Sequence, residues 1–268
     1  MASILFPISL AATLLMLLLT AVSVGADSGR QIRLGYLDHP GSLLCLLASE
    51  QGLFRAEGLS VALVRFPDSG SGLSALSAGR IDAGAFALGE TLQRIAGGKE
   101  LKIVAGGGTA PSGKLPAGQN EAAALELEGK GVVLAAGSLD KISLVKLVSA
   151  LIRAHQSLQL QPEAAWRQAL KLLRDPKPQR AVRFDPNPDY WRIEKLWRQL
   201  QLQGEGRPRD FLANHVYEEI YCDALDRLAL GDGRDNAVLQ ELKSRAVCVP
   251  DCCSVPSGNL STIKGGSR

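Results

Sequence analysis

Three short stretches of the chain combine glycine, small hydroxyl and acidic residues in a way that suits capture of a small polar molecule. They are Leu37-Asp-His-Pro-Gly-Ser42, Pro67-Asp-Ser-Gly-Ser-Gly72 and Leu88-Gly-Glu-Thr91. Each precedes a run with helical spacing of apolar residues, so each is expected at a helix N-terminus. Backbone N–H groups there lack intrahelical acceptors, and the positive end of the helix dipole favours a carboxylate, sulfonate or oxyanion. Glycine lets the backbone approach such a ligand closely. The candidate ligand contacts are Asp38, His39 and Ser42 in the first stretch, Asp68, Ser69, Gly70 and Ser71 in the second, and Gly89, Glu90 and Thr91 in the third. Glu90 departs from anion chemistry. A carboxylate there suits an amine, amidine or pyrimidine group and disfavours a bare oxyanion; the alternative is a helix-start carboxylate stabilised by the dipole. His39 is a lone loop histidine, and solvation is its competing role. Tyr36 and Phe86 end strands, where they either stack on a ligand or fill the core. Trp166, Trp191 and Trp197 fall on helices and are expected to pack.

The chain has five cysteines, Cys45, Cys222, Cys248, Cys252 and Cys253. The cluster Cys248-Val-Pro-Asp-Cys252-Cys253 has thiols enough for a soft metal, with Cys222 or a histidine as fourth ligand. Its spacing is not C-x-x-C and no second half-site follows, so disulfides among Cys222, Cys248, Cys252 and Cys253 are the simpler expectation in an exported protein. No metal site and no cofactor is assigned. The sequence lacks G-x-S-x-G, H-E-x-x-H, P-loop and G-x-G-x-x-G signatures. Its three histidines are far apart, so no acid–base pair is named and an enzyme is not expected.

The elements that must position these residues alternate in type. Strands are expected at 31–36, 59–66, 82–87 and 101–105, with helices at 43–51, 73–78 and 89–96 between them. Ser42 stands at an N-cap position, Pro67 to Gly72 reads as a polar loop, and Gly52 and Gly79 read as helix stops. Strands and helices at this spacing mean βαβ units and a mostly parallel α/β sheet, and ligands bind beyond the carboxyl ends of such strands. After a Gly/Pro/Ser-rich linker from Gly106 to Asn120, a fifth strand is expected at 131–136. A long helix to about Leu158 follows, capped by Ser138 or Asp140. Further helices are expected at 162–173, 188–202, 210–230 and 236–245, so the C-terminal half is mainly helical.

Hydrophobic content of 46% and charged content of 21% are those of a globular chain of 268 residues. A net charge of +3, with basic and acidic residues interspersed, argues against a nucleic-acid partner. Residues 1–26 carry no charged side chain. An apolar run from Leu10 to Val22 ends at Val24-Gly25-Ala26, whose small residues suit signal peptidase; an uncleaved membrane anchor is the alternative. Either way the body of the protein is expected outside the cytoplasm, in the periplasm. The expected organisation is a signal peptide at 1–26, an α/β lobe at 27–108, a linker at 109–130, a strand with C-terminal helices at 131–246, and a cysteine-containing tail at 247–268.

The pieces Ile32-Arg-Leu-Gly-Tyr, Gln51-Gly-Leu-Phe-Arg-Ala-Glu-Gly-Leu, Phe66-Pro-Asp-Ser-Gly, Leu76-Ser-Ala-Gly-Arg-Ile-Asp-Ala-Gly and Leu101-Lys-Ile-Val-Ala resemble, in order and spacing, the first lobe of the SsuA/THI5-like (NMT1-like) substrate-binding proteins of ABC transporters. Gly131 to Gln156, Pro162-Glu-Ala-Ala165, Asp210-Phe-Leu-Ala and Tyr217 to Leu228 resemble that family's later elements. Between the two blocks about two dozen residues stand where the family has a full second lobe. The resemblance implies a periplasmic-binding-protein-like lobe with a reduced second part. It also implies a small polar solute of the nitrate, sulfonate, taurine or thiamine-precursor class, and an ABC permease in the inner membrane as partner. Two alternatives come with it. One is a pyrimidine synthase of the THI5 type, which uses iron and pyridoxal phosphate. The other is a binding or sensor domain that has lost its transport role.

Overall fold

A computed structural model describes residues 30–109, 132–137, 139–171, 183–203, 208–231 and 236–246. The expected leader at 1–26, the tail with Cys248, Cys252 and Cys253, and all but the first residue of the expected linker at 109–130 lie outside these residues.

The N-terminal part follows the alternation in the sequence. Strand β1 (Ile32–Leu37) leads through a 3-10 turn (Pro40–Ser42) to α1 (Leu43–Glu50) and the single turn α2 (Leu53–Ala56). Strand β2 (Val61–Phe66), helix α3 (Ser69–Ser77), strand β3 (Ala83–Ala87), helix α4 (Leu88–Ala96) and strand β4 (Lys102–Gly106) follow. A two-residue strand β5 (Gly108–Thr109) comes next, then β6 (Val132–Ala136), the long α5 (Lys141–Leu160), α6 (Pro162–Leu170) and a two-residue β7 (Arg183–Phe184). Helices α7 (Tyr190–Gln199), α8 (Pro208–Ala213), α9 (Glu218–Gly231) and α10 (Ala237–Arg245) complete the described chain.

The sheet runs β2-β1-β3-β6-β4. Strand β1 pairs in parallel with β2 and β3, while β6 is antiparallel to both β3 and β4. Strands β1 to β4 therefore share one direction and β6 runs against them, which makes the α/β sheet mixed. Because side chains alternate across a strand, each strand feeds two cores. Leu34, Tyr36, Leu134 and Ala136 face a layer that includes α1, α5, α9 and α10. Phe86, Val133 and Ala135 face α3, α4, α7 and α8. Strand β6, expected to begin a separate C-terminal part, lies inside the first lobe's sheet. Without it β3 and β4 would each present a bare edge of unpaired N–H and C=O groups.

Other departures have equally local causes. The expected loop Pro67–Gly72 is helical from Ser69, because the Asp68 carboxylate accepts a hydrogen bond from the Ser71 N–H (2.7 Å) and caps α3. Ser42 makes no side-chain cap; its Oγ accepts from the Leu37 N–H instead (3.1 Å). The expected single helix at 210–230 is broken into α8 and α9. The intervening residues pair with the free edge of β4: the Ile103 N–H donates to the His215 carbonyl (2.7 Å) and the Tyr217 N–H to the Ile103 carbonyl (2.9 Å). Asp140 caps α5 through the Ser143 N–H (2.9 Å). Trp197 is 1% exposed and packs as expected, whereas Trp191 is 55% exposed.

The motif Gln51 to Leu59 joins the lobe to the later helices. Gly52 and Gly58 stop α1 and α2 at positive φ (67° and 75°), a conformation glycine adopts without penalty. Between them the buried Glu57 receives Arg153 of α5 (3.1 Å) and Arg227 of α9 (2.9 Å), one on each carboxylate oxygen. Removing the carboxylate leaves two guanidinium groups without their shared partner. Both arginines keep contact with water, so the loss is smaller than for a fully buried pair. Glu57→Ala is expected to lower unfolding free energy by about 2–3 kcal/mol in urea titrations.

Cys45 is free and buried in α1, and burial pushes its thiol up to about 12. Since the thiolate is the reactive form, the Cys45 peptide is expected to stay unlabelled by iodoacetamide in the native protein. It is expected to label fully once the protein is unfolded in denaturant, as read by mass spectrometry.

Candidate functional site

The carboxyl ends of β1, β2 and β3 are brought together by one side chain. Phe86, fully buried on β3, sits in a slot whose walls are glycine. A Cβ on Gly72 would lie 2.1 Å from its ring, one on Gly84 2.2 Å, and one on Gly35 2.9 Å. Helix α3 and strand β1 thus both approach the ring that β3 carries. Phe66, at the end of β2, packs edge-on against it at 6.1 Å between centroids. The ring is core and does not stack on a ligand; Tyr36, 9% exposed, is core as well.

Hydrogen bonds then tie the three loops. The Ser69 Oγ, buried at the start of α3, accepts from the Ala87 N–H at the end of β3 (2.9 Å). Thr91 Oγ1, also buried, donates to the Ala87 carbonyl (2.9 Å). Arg94 of α4 reaches back to the Ser74 Oγ (3.1 Å), and Ser74 in turn donates to the Gly70 carbonyl (2.7 Å). Glu90 comes close to this turn: a Cβ on Gly70 would be 3.5 Å from Glu90 Oε2. In the first loop Asp38 pairs with Arg65 from the end of β2 (3.0 Å). His39 Nδ1 accepts from the Gly41 N–H (2.9 Å), which puts the ring proton on Nε2. Partial burial pushes the His39 pKa below its ordinary value, so the ring is neutral at pH 7.

Of the ten residues expected at the site, the structure brings all ten to this edge of the sheet but gives them different jobs. Ser42, Ser69, Gly89 and Thr91 are buried, and the three hydroxyls among them serve the loop framework. Asp68 and Ser71 cap α3 between them, the Ser71 Oγ donating to the Asp68 carbonyl (3.0 Å). Glu90 is exposed beside Gly70. The helix N-termini therefore already carry carboxylates, Asp68 on α3 and Glu90 in the first turn of α4. That lowers their appetite for a bare anion and adds acceptors for a ligand bearing N–H donors.

Two features of the site were not read from sequence. Arg65 and Arg94 enter it as partners of loop groups. In addition, a strap crosses the end of β4. The Gly106 N–H donates to the Pro186 carbonyl (2.9 Å), and a Cβ on Gly106 would fall 2.3 Å from the Asp185 and Asn187 carbonyl oxygens. The glycine run Gly106-Gly-Gly108 is the sequence trace of this crossing, but the segment it receives lies some eighty residues downstream and nothing local points to it. Beyond the strap, β5 and β7 form a two-stranded antiparallel ribbon.

The family model described as NMT1/THI5 like matches residues 39–158, from the first loop to the end of α5. This segment is similar to the NMT1/THI5-like family. It contains nine of the ten expected site residues, Asp38 lying just before it, and it bears out the resemblance read from the motifs. Solved structures extend the likeness of fold beyond the NMT1/THI5-like segment. A conserved Candida albicans gene product exhibiting the generic periplasmic binding protein structural fold is 13% identical, with a TM-score of 0.52, over 69% of this chain and 95% of that one. The ligand binding component of an ABC-type import system from Staphylococcus aureus, with zinc bound, is 13% identical, with a TM-score of 0.52, over 72% and 98%. The periplasmic nitrate-binding protein NrtA from Synechocystis is 11% identical, with a TM-score of 0.54, over 75% and 89%. At these identities the likeness is one of fold, and the fold is that of periplasmic binding proteins. No curated protein sequence matches the chain. Among the described residues there is no group of three or more His, Cys, Asp or Glu side chains able to hold a metal ion, and no helix is long and apolar enough to cross a membrane. Cys222 is disulfide-bonded; its expected partners lie outside the described residues.

The glycine slot gives a direct test of how the loops are held. Gly72→Ala is expected to destabilise the protein by about 1–3 kcal/mol through overpacking against Phe86. Gly72→Ala combined with Phe86→Leu is expected to cost less than the sum of the two single changes, because both act on one contact. Urea denaturation of the four proteins in the cycle checks both.

Proposed function

We propose that the chain is an extracytoplasmic solute-binding protein that delivers a small polar molecule to an ABC permease, and that it is not an enzyme. The observation that carries this reading is the convergence of three strand ends on the Phe86 slot, which leaves Glu90, Gly70 and the first turns of α3 and α4 side by side at one edge of the sheet. In proteins of this architecture that edge is where ligands bind. The neighbours named as an ABC-type import component and as a nitrate-binding protein share the fold, which supports a binding role.

Within that reading the ligand contacts are Glu90, Asp68, Gly70 and Ser71, with Asp38 and His39 at the rim. Ser42, Ser69, Gly89 and Thr91 act as the framework that holds them. The acceptors at both helix starts favour a solute with an amine, amidine or aminopyrimidine group over nitrate or a simple sulfonate. The solute would thus fall nearer the thiamine-precursor end of the resemblance.

The test is a thermal-shift screen of the full-length protein with sulfonates, nitrate, taurine, amino acids and thiamine precursors, followed by calorimetry on any hit. A ligand that binds the native state alone raises the melting temperature in proportion to its saturation. A saturable shift by an amine-bearing or pyrimidine solute is expected. Glu90→Ala is expected to weaken that solute by about tenfold or more, as for loss of one charge-assisted hydrogen bond. Unchanged affinity in the variant retires the role of Glu90, and a panel with no saturable hit retires the transport reading in favour of a sensor or accessory domain. Bound iron or pyridoxal absorbance in the purified protein would favour the synthase instead.

A further inference from the structure

The edge of the sheet opposite the loops carries a cavity of about 680 Å³. It lies where β4 begins, where β6 ends and where α3 stops, so it is separated from the Glu90 edge by the full length of the strands. Its volume falls within the range of small-molecule sites.

The walls are of two kinds. Leu76 at the end of α3, Leu101 before β4 and Tyr217 before α9 supply apolar surface. Lys99 and Lys102 supply charge, against one exposed carboxylate, Glu100. The Lys102 ammonium lies 5.0 Å from the centroid of the Tyr217 ring, a favourable cation–π contact. Lys102 is half-buried, and neither lysine forms an ion pair with a described residue. A part-buried ammonium with only a ring face as partner gains by meeting an anion. Arg30 and Arg33 stand near the same edge but are already neutralised by Asp82 (2.6 and 3.1 Å). The positive balance of the cavity therefore rests on the two lysines.

The wall opposite α3 is preformed. His215 Nδ1–H donates to the Leu101 carbonyl (2.9 Å), and the backbone on either side of Val216 is hydrogen-bonded to Ile103. Imidazole and phenol rings are thus fixed against the edge strand, and a ligand entering here has little ordering cost to meet. The mouth is open at Gly79, where an added Cβ would meet nothing within 4 Å.

We propose that this cavity is a second binding site, for a small organic carboxylate. Lys99 and Lys102 meet its charge, and its apolar part lies against Leu76, Leu101 and Tyr217. The site is independent of the loops at the other edge, so a solute held by Glu90 and a carboxylate held by Lys102 occupy the protein together.

The chain has three histidines, His39, His155 and His215, which makes imidazole NMR a selective readout. Benzoate titrated at low salt into the full-length protein is expected to shift the His215 resonances saturably and leave those of His39 in place. Lys99→Gln with Lys102→Gln is expected to weaken benzoate at least about tenfold, whereas Lys102→Arg stays within about threefold and Glu90→Ala has no effect. Unmoved His39 and His155 resonances in the variants verify that they fold. The proposal is overturned by the absence of a saturable His215 shift up to about 20 mM benzoate. Equal affinity in the double lysine variant, a Lys102→Arg loss as large as that of the double variant, or a shift centred on His39 would each overturn it as well.

Discussion

The Phe86 ring against Gly35, Gly72 and Gly84 is the contact on which the geometry of the lobe depends. Helix α3, strand β1 and the ring's own strand β3 each present a glycine to it at distances that no side chain larger than hydrogen would permit. Because protein interiors are packed to crystal-like density, such a contact fixes positions closely: α3 cannot slide along the sheet, and β1 and β3 cannot change their offset. The loops that follow β1, β2 and β3 start from ends that are already aligned. Their hydrogen bonds, above all Ser69 to the Ala87 N–H, then lock an arrangement that core packing has set.

At the same edge the protein has used its own carboxylates. A helix N-terminus offers unpaired N–H groups and a positive dipole end, and the usual partner is either a capping side chain or a ligand. In α3 the cap is Asp68, and in α4 the first turn holds Glu90. A bare anion would have to sit beside these groups, whereas a ligand with N–H donors finds acceptors in place. Selectivity at such a site follows from which partner the helix ends already hold, and this turns the reading of the edge from oxyanion capture toward amine recognition.

The two edges of the sheet differ for a reason that lies in their partners. At the carboxyl edge the arginines are spent on loop groups, Arg65 on Asp38 and Arg94 on Ser74 and Gly70. At the amino edge Arg30 and Arg33 are spent on Asp82, whose burial alone would raise its pKa. Hydrogen bonds from Arg33 and the charges of Arg33 and Arg30 outweigh that and hold it below the usual carboxylate value. Among the described residues, the groups that line the two candidate sites are then a carboxylate, Glu90, at one end and Lys99 and Lys102, beside Glu100, at the other. Formal net charge gives no hint of this, because it sums over pairs that cancel locally.

Much of the lobe was written in local patterns. Apolar–polar alternation in Gln31 to Tyr36 marked the first strand, a short apolar run marked β6, glycines at 52 and 79 marked helix ends, and Ser138 or Asp140 marked the start of α5. The order of those pieces, and the motif around Glu57, carried the resemblance to the NMT1/THI5-like family. What the sequence by itself could not determine was every feature that joins residues far apart in the chain. The break between α8 and α9 exists because β4 needed an edge partner. The helical start at Ser69 turned an apparent loop into a capped first turn, the insertion of β6 between β3 and β4 made the sheet mixed, and the strap over Gly106 brought Asp185 and Asn187 across β4. Local propensity reports what a segment can do with its own backbone hydrogen bonds. Only the folded chain decides which distant segment satisfies the groups left over, and here those leftover groups are the ones that shape both candidate sites.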